Sequence, residues 1–402
     1  MGRGIRLFRI AGVDIFLDWS LLIIFFLISA SLAMGLFPVW HPEWSLALSW
    51  LTALAAAALF LLSVLVHEMA HALAGRAHGM TISRITLFIF GGMAHLEDEP
   101  KHWRVEFWMA IAGPLTSLAL GFLFIWAGGL AAGGIVLTTE DPEAALAALS
   151  PAATLLLWLG PVNIVLAVFN LVPGFPLDGG RVMRAVLWGI TGNYQKATRW
   201  ASTGGRIFSG LLIATGLAMV LGIRVPFFGT GFTGGLWLAL IGWFLHNAAT
   251  MSYTQLLMQR ALSGVSVANI MQRNVETVSP HVALDEFVSD YVMGRDQRAW
   301  PVTEGERLAG LVCLQDVRRR PRDEWAAATV GEVMTPADQL TTVLPDDDSW
   351  DAIRTINQKN VNQLPVMEAG RLRGLLRRED VVRWLSLHGD LPDGRRSINQ
   401  PG

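Results

Sequence analysis

Two histidines with a carboxylate between them are the residues whose types and spacing could do chemistry in this chain. His67 and His71 are four positions apart, and Glu68 directly follows the first of them. Residues four apart share one face of a helix, so both imidazoles can bind the same metal ion. Zinc lowers the pKa of a bound water to about 7, and Glu68 is placed to take the proton of that water. The pattern predicts a zinc centre for hydrolysis.

The surroundings of this motif weigh against a simpler interpretation, a cluster of ordinary polar residues at a helix end. The motif lies in an apolar stretch, residues 47–75. Each charged group at the centre of a membrane costs roughly 2.5–3.5 kcal/mol on insertion scales. The presence of three ionisable residues there therefore favours the metal site.

A third ligand is expected from another segment, because a catalytic zinc usually has three protein ligands and one open position. Asp178 lies in a Pro/Gly-rich break, residues 169–181, that contains Pro173 and Pro176. Such a break interrupts a helix, and non-helical backbone at membrane depth is tolerated only where protein or a wet cavity surrounds it. The break predicts a buried site. The alternative for Asp178 is the N-cap of a helix that opens at Arg181.

Long apolar spans must position these residues. The hydrophobic fraction is 52% and only 16% of residues are charged, with a mean hydropathy of +0.42, which favours a membrane protein. Six windows are long enough to cross about 30 Å of hydrocarbon, near residues 17–37, 47–75, 105–130, 152–173, 206–223 and 233–251. The first window lacks a convincing cleavage site and predicts a retained span rather than a signal peptide. The expected fold is a polytopic α-helical membrane protein with a cytosolic α/β module.

Charge divides the chain into two domains. Residues 1–260 hold 14 Lys/Arg and 12 Asp/Glu, whereas residues 261–402 hold 17 and 21. We expect a transmembrane domain over 1–258, a soluble module over 259–388 and a disordered tail over 389–402. Basic loops alternate with neutral or acidic ones, which predicts a cell-membrane protein whose N-terminus and soluble module are both cytoplasmic.

Two further features bound the partners and the compartment. The net charge of −2 gives no nucleic-acid footprint, so no nucleic-acid partner is expected. Cys313 is the sole cysteine. It excludes an internal disulfide and fits a domain that faces a reducing compartment.

Taken together, the histidine motif and the break resemble the site-2 protease family of intramembrane metalloproteases. The resemblance spans roughly residues 5–250 and lies in His67-Glu68-x-x-His71 and in Asn170-x-x-Pro173-x-x-Pro176-Leu177-Asp178-Gly179. It implies one zinc per chain bound by His67, His71 and Asp178, with Glu68 as general base. It also implies that Asn170 holds the substrate or stabilises the oxyanion. The alternative for Asn170 is a buried amide that ties down the broken helix.

Between the second and third spans, residues 82–90 begin with polar and apolar residues in alternation and then reach a Gly-rich segment, 91–95. This pattern predicts a strand and a turn, and in the resembled family such a segment lies near the site, where it could offer an edge strand to an extended substrate. A surface hairpin is the alternative.

Several other residues leave more than one interpretation open. Gly113-Pro114 and Gly160-Pro161 interrupt spans, either as kinks that open a water path or as ordinary helix-packing contacts. Three further histidines are ligand candidates by type and are expected to be structural or surface residues: His95, His102 and His246.

The soluble module contains an internal repeat. Val267 to Met271 recurs as Val330 to Met334, a shift of 63 residues, and Pro301-Val302, Gly310-Leu311 and Asp316-Val317 recur 64 residues later. Each copy predicts the order strand, helix, strand, strand, helix. The pair, about 262–322 and 325–388, resembles tandem CBS domains.

That second resemblance implies a cleft for an adenosine nucleotide and a homodimer formed through the module. Asp316 and Asp380 occupy the positions that contact ribose in the family. The usual hydroxyl three residues earlier is replaced by Cys313 in one copy and by Arg377 in the other, which weakens the inference. The alternative is that both aspartates cap helices.

The function expected from these patterns is an intramembrane zinc metalloendopeptidase. Its substrates would be single-span proteins of the lipid bilayer, cut near the cytoplasmic side, and nucleotide binding to the module would gate cleavage. Two alternatives are a CBS-regulated metal ion transporter and a catalytically inactive scaffold. Transport has no need of Glu68 beside the ligands, whereas hydrolysis does.

Overall fold

The computed structural model describes residues 4–89, 91–96, 100–133, 142–226, 229–293, 297–305 and 307–388. They form two compact units, Met1–Tyr253 and Thr254–Gly402. The division falls inside a helix, five residues before the boundary expected at 258. The expected tail, 389–402, lies outside the described residues.

Eight helices are described in the first unit or begin there: α1 (Ser20–Trp40), α2 (Leu46–Ala77), α3 (Trp103–Ala131), α4 (Pro142–Ala147), α5 (Pro151–Asn170), α6 (Asp178–Thr191), α7 (Tyr194–Val220) and α8 (Phe232–Leu262). Five of them, α1, α2, α3, α5 and α7, are long and apolar enough to cross a membrane by length and composition. The sixth expected span lies within α8, where His246 and Asn247 reduce the hydropathy of the segment. The structure thus confirms a mostly helical membrane protein, with five apolar spans among the described helices.

The helix boundaries follow from local chemistry. The Ser45 hydroxyl accepts a hydrogen bond from the backbone N–H of Leu48 at the start of α2. Ser150 caps α5 in the same way, with a proline in its first turn. Gly192 ends α6 with φ of 65°, a conformation that a residue without Cβ adopts at little cost.

A four-stranded sheet lies beside the helices of the first unit. Its strands are β1 (Ile5–Ile10), β2 (Val13–Leu17), β3 (Ile82–Phe88) and β4 (Gly91–Leu96), in that order across the sheet. The pairs β1–β2 and β3–β4 are antiparallel, and β2–β3 is parallel. Residues 91–95, expected as a turn, are therefore a strand, and the N-terminal hairpin was not expected at all. Among the described residues β4 pairs with β3 alone, so it is an edge strand.

The sheet packs on the part of α2 that carries the histidine motif. Val13 and Ile15 of β2 and Ile85 of β3 are fully buried and share a core with Leu65 and Met69 of α2. Because the two α2 residues flank His67, the sheet fixes the position of the histidine turn.

Glycines allow α3 and α5 to cross closely. A Cβ on Gly160 would lie 2.5 Å from Ile125 Cγ1, and one on Gly121 would lie 3.0 Å from the Gly160 carbonyl oxygen. The interruption at Gly160-Pro161 is thus a helix-packing contact, as small residues commonly provide in membrane bundles.

The second unit contains the two repeats. The first copy holds α9 (Val267–Ile270), α10 (Leu284–Glu286), β5 (Ala299–Glu304), β6 (Arg307–Cys313) and α11 (Leu314–Val317). The second holds α12 (Val330–Val333), β7 (Thr335–Pro336), α13 (Ser349–Gln358), β8 (Gln363–Glu368), β9 (Arg371–Arg377) and α14 (Arg378–His388). The strands form one sheet of order β5-β6-β9-β8, with β7 on β6.

The first predicted strand of each repeat is reduced to a single bridge. Val278 pairs with Val302 in the first copy, and Val343 pairs with Val366 in the second. Each copy buries its own apolar cluster, one around Trp300 and the other around Ile356 and Leu364. The prediction of an α/β module is confirmed, and the short bridges account for its weak strand pattern.

Candidate metal centre

Helix α3 holds both histidines of α2 from behind. The His71 Nδ1 lies 2.7 Å from the carbonyl oxygen of Met109, and the His67 Nδ1 lies 2.8 Å from the Ser117 hydroxyl oxygen. A carbonyl oxygen can only accept, so the Nδ1 of His71 carries the proton and its Nε2 presents a lone pair. The Ser117 hydroxyl can accept in the same way from His67. Both rings are buried, so the two Nε2 atoms are fixed in direction.

Asp178 completes the group from α6. Its Oδ2 lies 3.1 Å from the Nε2 of His67 and 3.1 Å from the Nε2 of His71, and those two nitrogens are 3.2 Å apart. Asp178 is the first residue of α6, whose N-cap is Leu177. The alternative in which Asp178 caps a helix opening at Arg181 is therefore wrong.

The donor set fits a zinc ion. Two ligand atoms at 2.0–2.1 Å from a shared tetrahedral centre are about 3.3 Å apart, and the three observed separations are 3.1–3.2 Å. A carboxylate oxygen and an Nε2 lone pair converging in a buried place repel each other unless a cation lies between them. No other group of three or more potential ligands is found among the described residues.

The Pro/Gly break holds Asp178 by close backbone packing. A Cβ on Gly179 would lie 2.2 Å from the Leu171 carbonyl oxygen, and one on Gly180 would lie 2.4 Å from the Gly174 carbonyl carbon. Only residues without a Cβ fit there. The break therefore folds directly onto the first turn of α6, which orients its first side chain.

Gly113 makes room for the ligands on the α3 side. A Cβ at this position would lie 2.2 Å from His71 Nε2 and 2.7 Å from His67 Nε2. Gly113-Pro114 thus belongs to the metal centre, whereas the other interrupted span belongs to helix packing.

The edge strand β4 lies against Glu68. A Cβ on Gly92 would lie 2.3 Å from Glu68 Cγ and 2.6 Å from its Cδ. The Glu68 side chain is half-buried and thus lies between the metal ligands and the strand edge.

A buried ion pair connects α3 with α6. The Arg184 guanidinium donates through Nε to Glu106 Oε1 at 2.6 Å, and its Nη2 contacts the same oxygen. Arg184 also lies 4.9 Å from the ring centroid of Phe175 and 4.8 Å from that of Tyr194. Glu106 is fully buried, and its Oε2 has no partner among the described residues. Because α6 carries Asp178 and α3 supports the histidines, the pair fixes the third ligand relative to the first two.

The remaining candidates of the first unit have separate roles. Asn170 is the last residue of α5 and is half-buried, with no hydrogen bond to its amide among the described residues. His102 caps α3, and the Nδ1 of His246 lies 3.3 Å from the Ser209 hydroxyl oxygen. His95 belongs to β4, and its side chain is outside the description.

In the second unit, both aspartates begin helices. Asp316 and Cys313 form a capping box at α11. Asp380 accepts from the backbone N–H of Arg377 at 3.2 Å at the start of α14. The capping alternative thus describes both residues. A cavity of about 790 Å³ contains Asp316 in its wall, and one of about 230 Å³ contains Asp380.

The supporting residues are the ones that sequence reasoning missed. Met109 acts through a backbone carbonyl, which leaves no signal in the sequence. Glu106 did leave a signal, because a lone carboxylate in an apolar helix requires a partner. Arg184 is the basic residue one turn after Arg181 in the helix that carries Asp178.

Comparison with known proteins identifies the class. Residues 55–212 match the model of Peptidase family M50, and residues 330–387 match the CBS domain. "Putative zinc metalloprotease Rip3" of Mycobacterium tuberculosis is 33% identical over 390 residues, 96% of this chain and 94% of the relative. "Putative zinc metalloprotease sll0528" of Synechocystis is 31% identical over 96% of each chain. The solved site-2 protease of Methanocaldococcus jannaschii covers 62% of this chain and 95% of its own, with 24% identity and a TM-score of 0.40.

The fold and the buried His/His/Asp group define a membrane zinc metalloprotease. The chain belongs to Peptidase family M50, the site-2 proteases, and it carries a CBS module. The alternative of a metal ion transporter finds no counterpart in these relatives, which are named as metalloproteases.

Proposed function

We propose that this protein is an endopeptidase that cuts single-span membrane proteins near the cytoplasmic side of the bilayer. The observation that carries the proposal is the convergence of three ligand atoms within 3.1–3.2 Å of one another, with Glu68 beside them and an edge strand against Glu68. Zinc held by His67, His71 and Asp178 would polarise the scissile carbonyl and make a water molecule more acidic.

The chain itself supplies the proton transfer. Glu68 follows His67 directly, and its carboxylate takes the proton of the attacking water and passes it to the departing amine. Its half-buried position next to Gly92 restricts the access of bulk water. Asn170, at the end of α5 before the break, would hold the substrate or stabilise the oxyanion.

The edge strand would bind the substrate in an extended form. Hydrogen bonds to the free edge of β4 hold a peptide by its backbone without demanding a particular sequence. Gly92 lets that peptide approach Glu68, since a larger residue there would occupy the volume of the carboxylate. A transmembrane helix must unwind to bind in this way, so cleavage is expected where a substrate helix is least stable.

The orientation and the regulation complete the proposal. The basic flanks, Arg3, Arg6 and Arg9 among them, support a cytoplasmic N-terminus in the cell membrane. The CBS module would then be cytosolic and would bind an adenosine nucleotide. Bound nucleotide changes cleavage only if the cutting and resting states differ in nucleotide affinity, either within one chain or through a dimer formed by the module.

The test is co-expression with tagged single-span membrane proteins. The wild type is compared with Glu68→Gln, which keeps the ligands and removes the proton acceptor, and with Glu286→Gln, the same change in the soluble module. We expect one zinc per chain in all three and a cytosolic fragment with the wild type and Glu286→Gln alone. Equal cleavage by Glu68→Gln at equal zinc content would refute the role of Glu68.

A further inference from the structure

The two aspartates of the CBS module are equivalent in position but not in availability. Each begins a helix directly after a strand, and each side chain is nearly buried. Each also accepts from the backbone N–H of the residue three positions earlier, at 3.0 Å from Cys313 and at 3.2 Å from Arg377. The difference between the two positions therefore lies in the side chains of Cys313 and Arg377.

Arg377 engages both oxygens of Asp380. Its Nε donates to Oδ2 at 2.8 Å, and its Nη2 donates to Oδ1 at 2.7 Å. Such a planar, bidentate pair is among the strongest side-chain contacts in proteins. Its Nη1 also lies 2.5 Å from Glu379 Oε1, and only 12% of the Arg377 side chain is exposed. A ligand hydroxyl could reach Asp380 only by breaking this pair and leaving charges unpaired in a buried place.

Cys313 leaves one oxygen of Asp316 available. Its backbone N–H and its thiol both contact Oδ2, at 3.0 and 2.9 Å. The other oxygen, Oδ1, lies 3.4 Å from Arg319, whose side chain is 77% exposed. An exposed ion pair of this kind adds little stability, so a ligand hydroxyl can replace it.

The surroundings of Asp316 suit a phosphorylated nucleoside. Its cavity of about 790 Å³ is more than three times the volume of the cavity of about 230 Å³ at Asp380. Arg298 and Lys359, both exposed, contribute cations to the wall. A carboxylate for sugar hydroxyls and cations for phosphate thus line one cleft.

We infer that the module binds one nucleotide per chain, at Asp316, and that Arg377 closes the equivalent site at Asp380. This inference rests on the nucleotide ligand in the proposed function and is independent of the protease chemistry. The two repeats have become unequal: one is a binding site, and the other contains a permanent internal ion pair.

The test counts nucleotides bound by the full-length protein in lipid nanodiscs, with ATP and AMP as probes and equilibrium dialysis as the measurement. We expect one nucleotide per chain for the wild type and for Asp380→Asn. Asp316→Asn should weaken binding at least tenfold. Arg377→Ser, which restores a small hydroxyl, should raise the count to two.

A second readout locates the bound nucleotide. Cys313 is the sole cysteine and lines the Asp316 cavity, so nucleotide should slow its alkylation by N-ethylmaleimide in the wild type and equally in Arg377→Ser. The comparison also tests whether the Arg377→Ser module is intact.

Each contrary outcome overturns a stated part. Two nucleotides on the wild type, or binding that depends on Asp380 rather than Asp316, would refute the single site. A count of one in Arg377→Ser with Cys313 still protected would refute the closing role of Arg377. No binding of either probe to the wild type would refute the nucleotide ligand itself, while cleavage by the wild type would leave the proposed protease standing.

Discussion

Replacing Gly113 by alanine should remove zinc while leaving the helices intact. The added Cβ would lie 2.2 Å from His71 Nε2, whereas ordinary contacts begin at 3.4 Å. The imidazole would therefore have to move by about 1.2 Å, while zinc–ligand distances tolerate only about 0.2 Å. The His67 Nε2, at 2.7 Å from the same Cβ, would have to move as well. Loss of one supporting contact already costs about 10–100-fold in metal affinity, so displacement of two ligands should exceed 100-fold.

The same helix offers a matched control. A Cβ on Gly129 meets nothing within 4 Å, so Gly129→Ala makes the same chemical change in α3 without reaching the site. Alanine favours a helix by about 1 kcal/mol over glycine, so neither variant should lose helix content. The assay is zinc per chain by mass spectrometry against a graded chelator, with circular dichroism on the same samples. Full zinc affinity in Gly113→Ala would refute the assignment of these ligands, and equal loss in Gly129→Ala would refute the steric explanation.

Three further predictions follow from the contacts described above. Arg184→Met leaves Glu106 as an uncompensated buried charge and should lower stability by about 3–5 kcal/mol, seen as a lower thermal midpoint; a Glu106→Leu/Arg184→Met double variant that is no more stable than the single one would contradict this. Gly92→Val should displace Glu68 and abolish cleavage with zinc retained, and unchanged cleavage would show that β4 does not position the carboxylate. Burial, and next its hydrogen bond to a carboxylate, raise the pKa of the Cys313 thiol, so its alkylation at pH 8 should be slower than that of free cysteine and should rise only at higher pH; a rate equal to that of free cysteine would exclude the raised pKa.

The metal ligands could be found from the sequence because their signals are local. His67 and His71 lie one helical turn apart, and Asp178 lies in a break that an apolar span does not otherwise contain. The distances among the three could not be found in this way, since they depend on contacts between segments 100 residues or more apart. The role of Asn170 and the cytoplasmic orientation stay predictions.

The N-terminal hairpin was missed for a different reason. Arg6 and Arg9 were interpreted as the basic flank of a span, although they also belong to β1, where the Nη2 of Arg6 lies 2.7 Å from Asp14 Oδ1. Apolar residues on both faces of a strand give no clean alternation. The parallel partner of β2 is a strand more than 60 residues later, and such a pairing cannot be deduced from neighbouring residues.

The parallel pairing of β2 with β3 has a consequence for how the protein is made. Leu17 ends β2 and Ile82 begins β3, and parallel strands require a crossover between them; here the crossover consists of α1 and α2. The sheet that supports β4 is thus complete only after both helices have been synthesised and paired. Asp178 follows still later, because synthesis proceeds from the N-terminus. A chain on the ribosome therefore has two histidines long before it has a substrate-binding edge or a third ligand, so it remains inactive until the bundle has assembled.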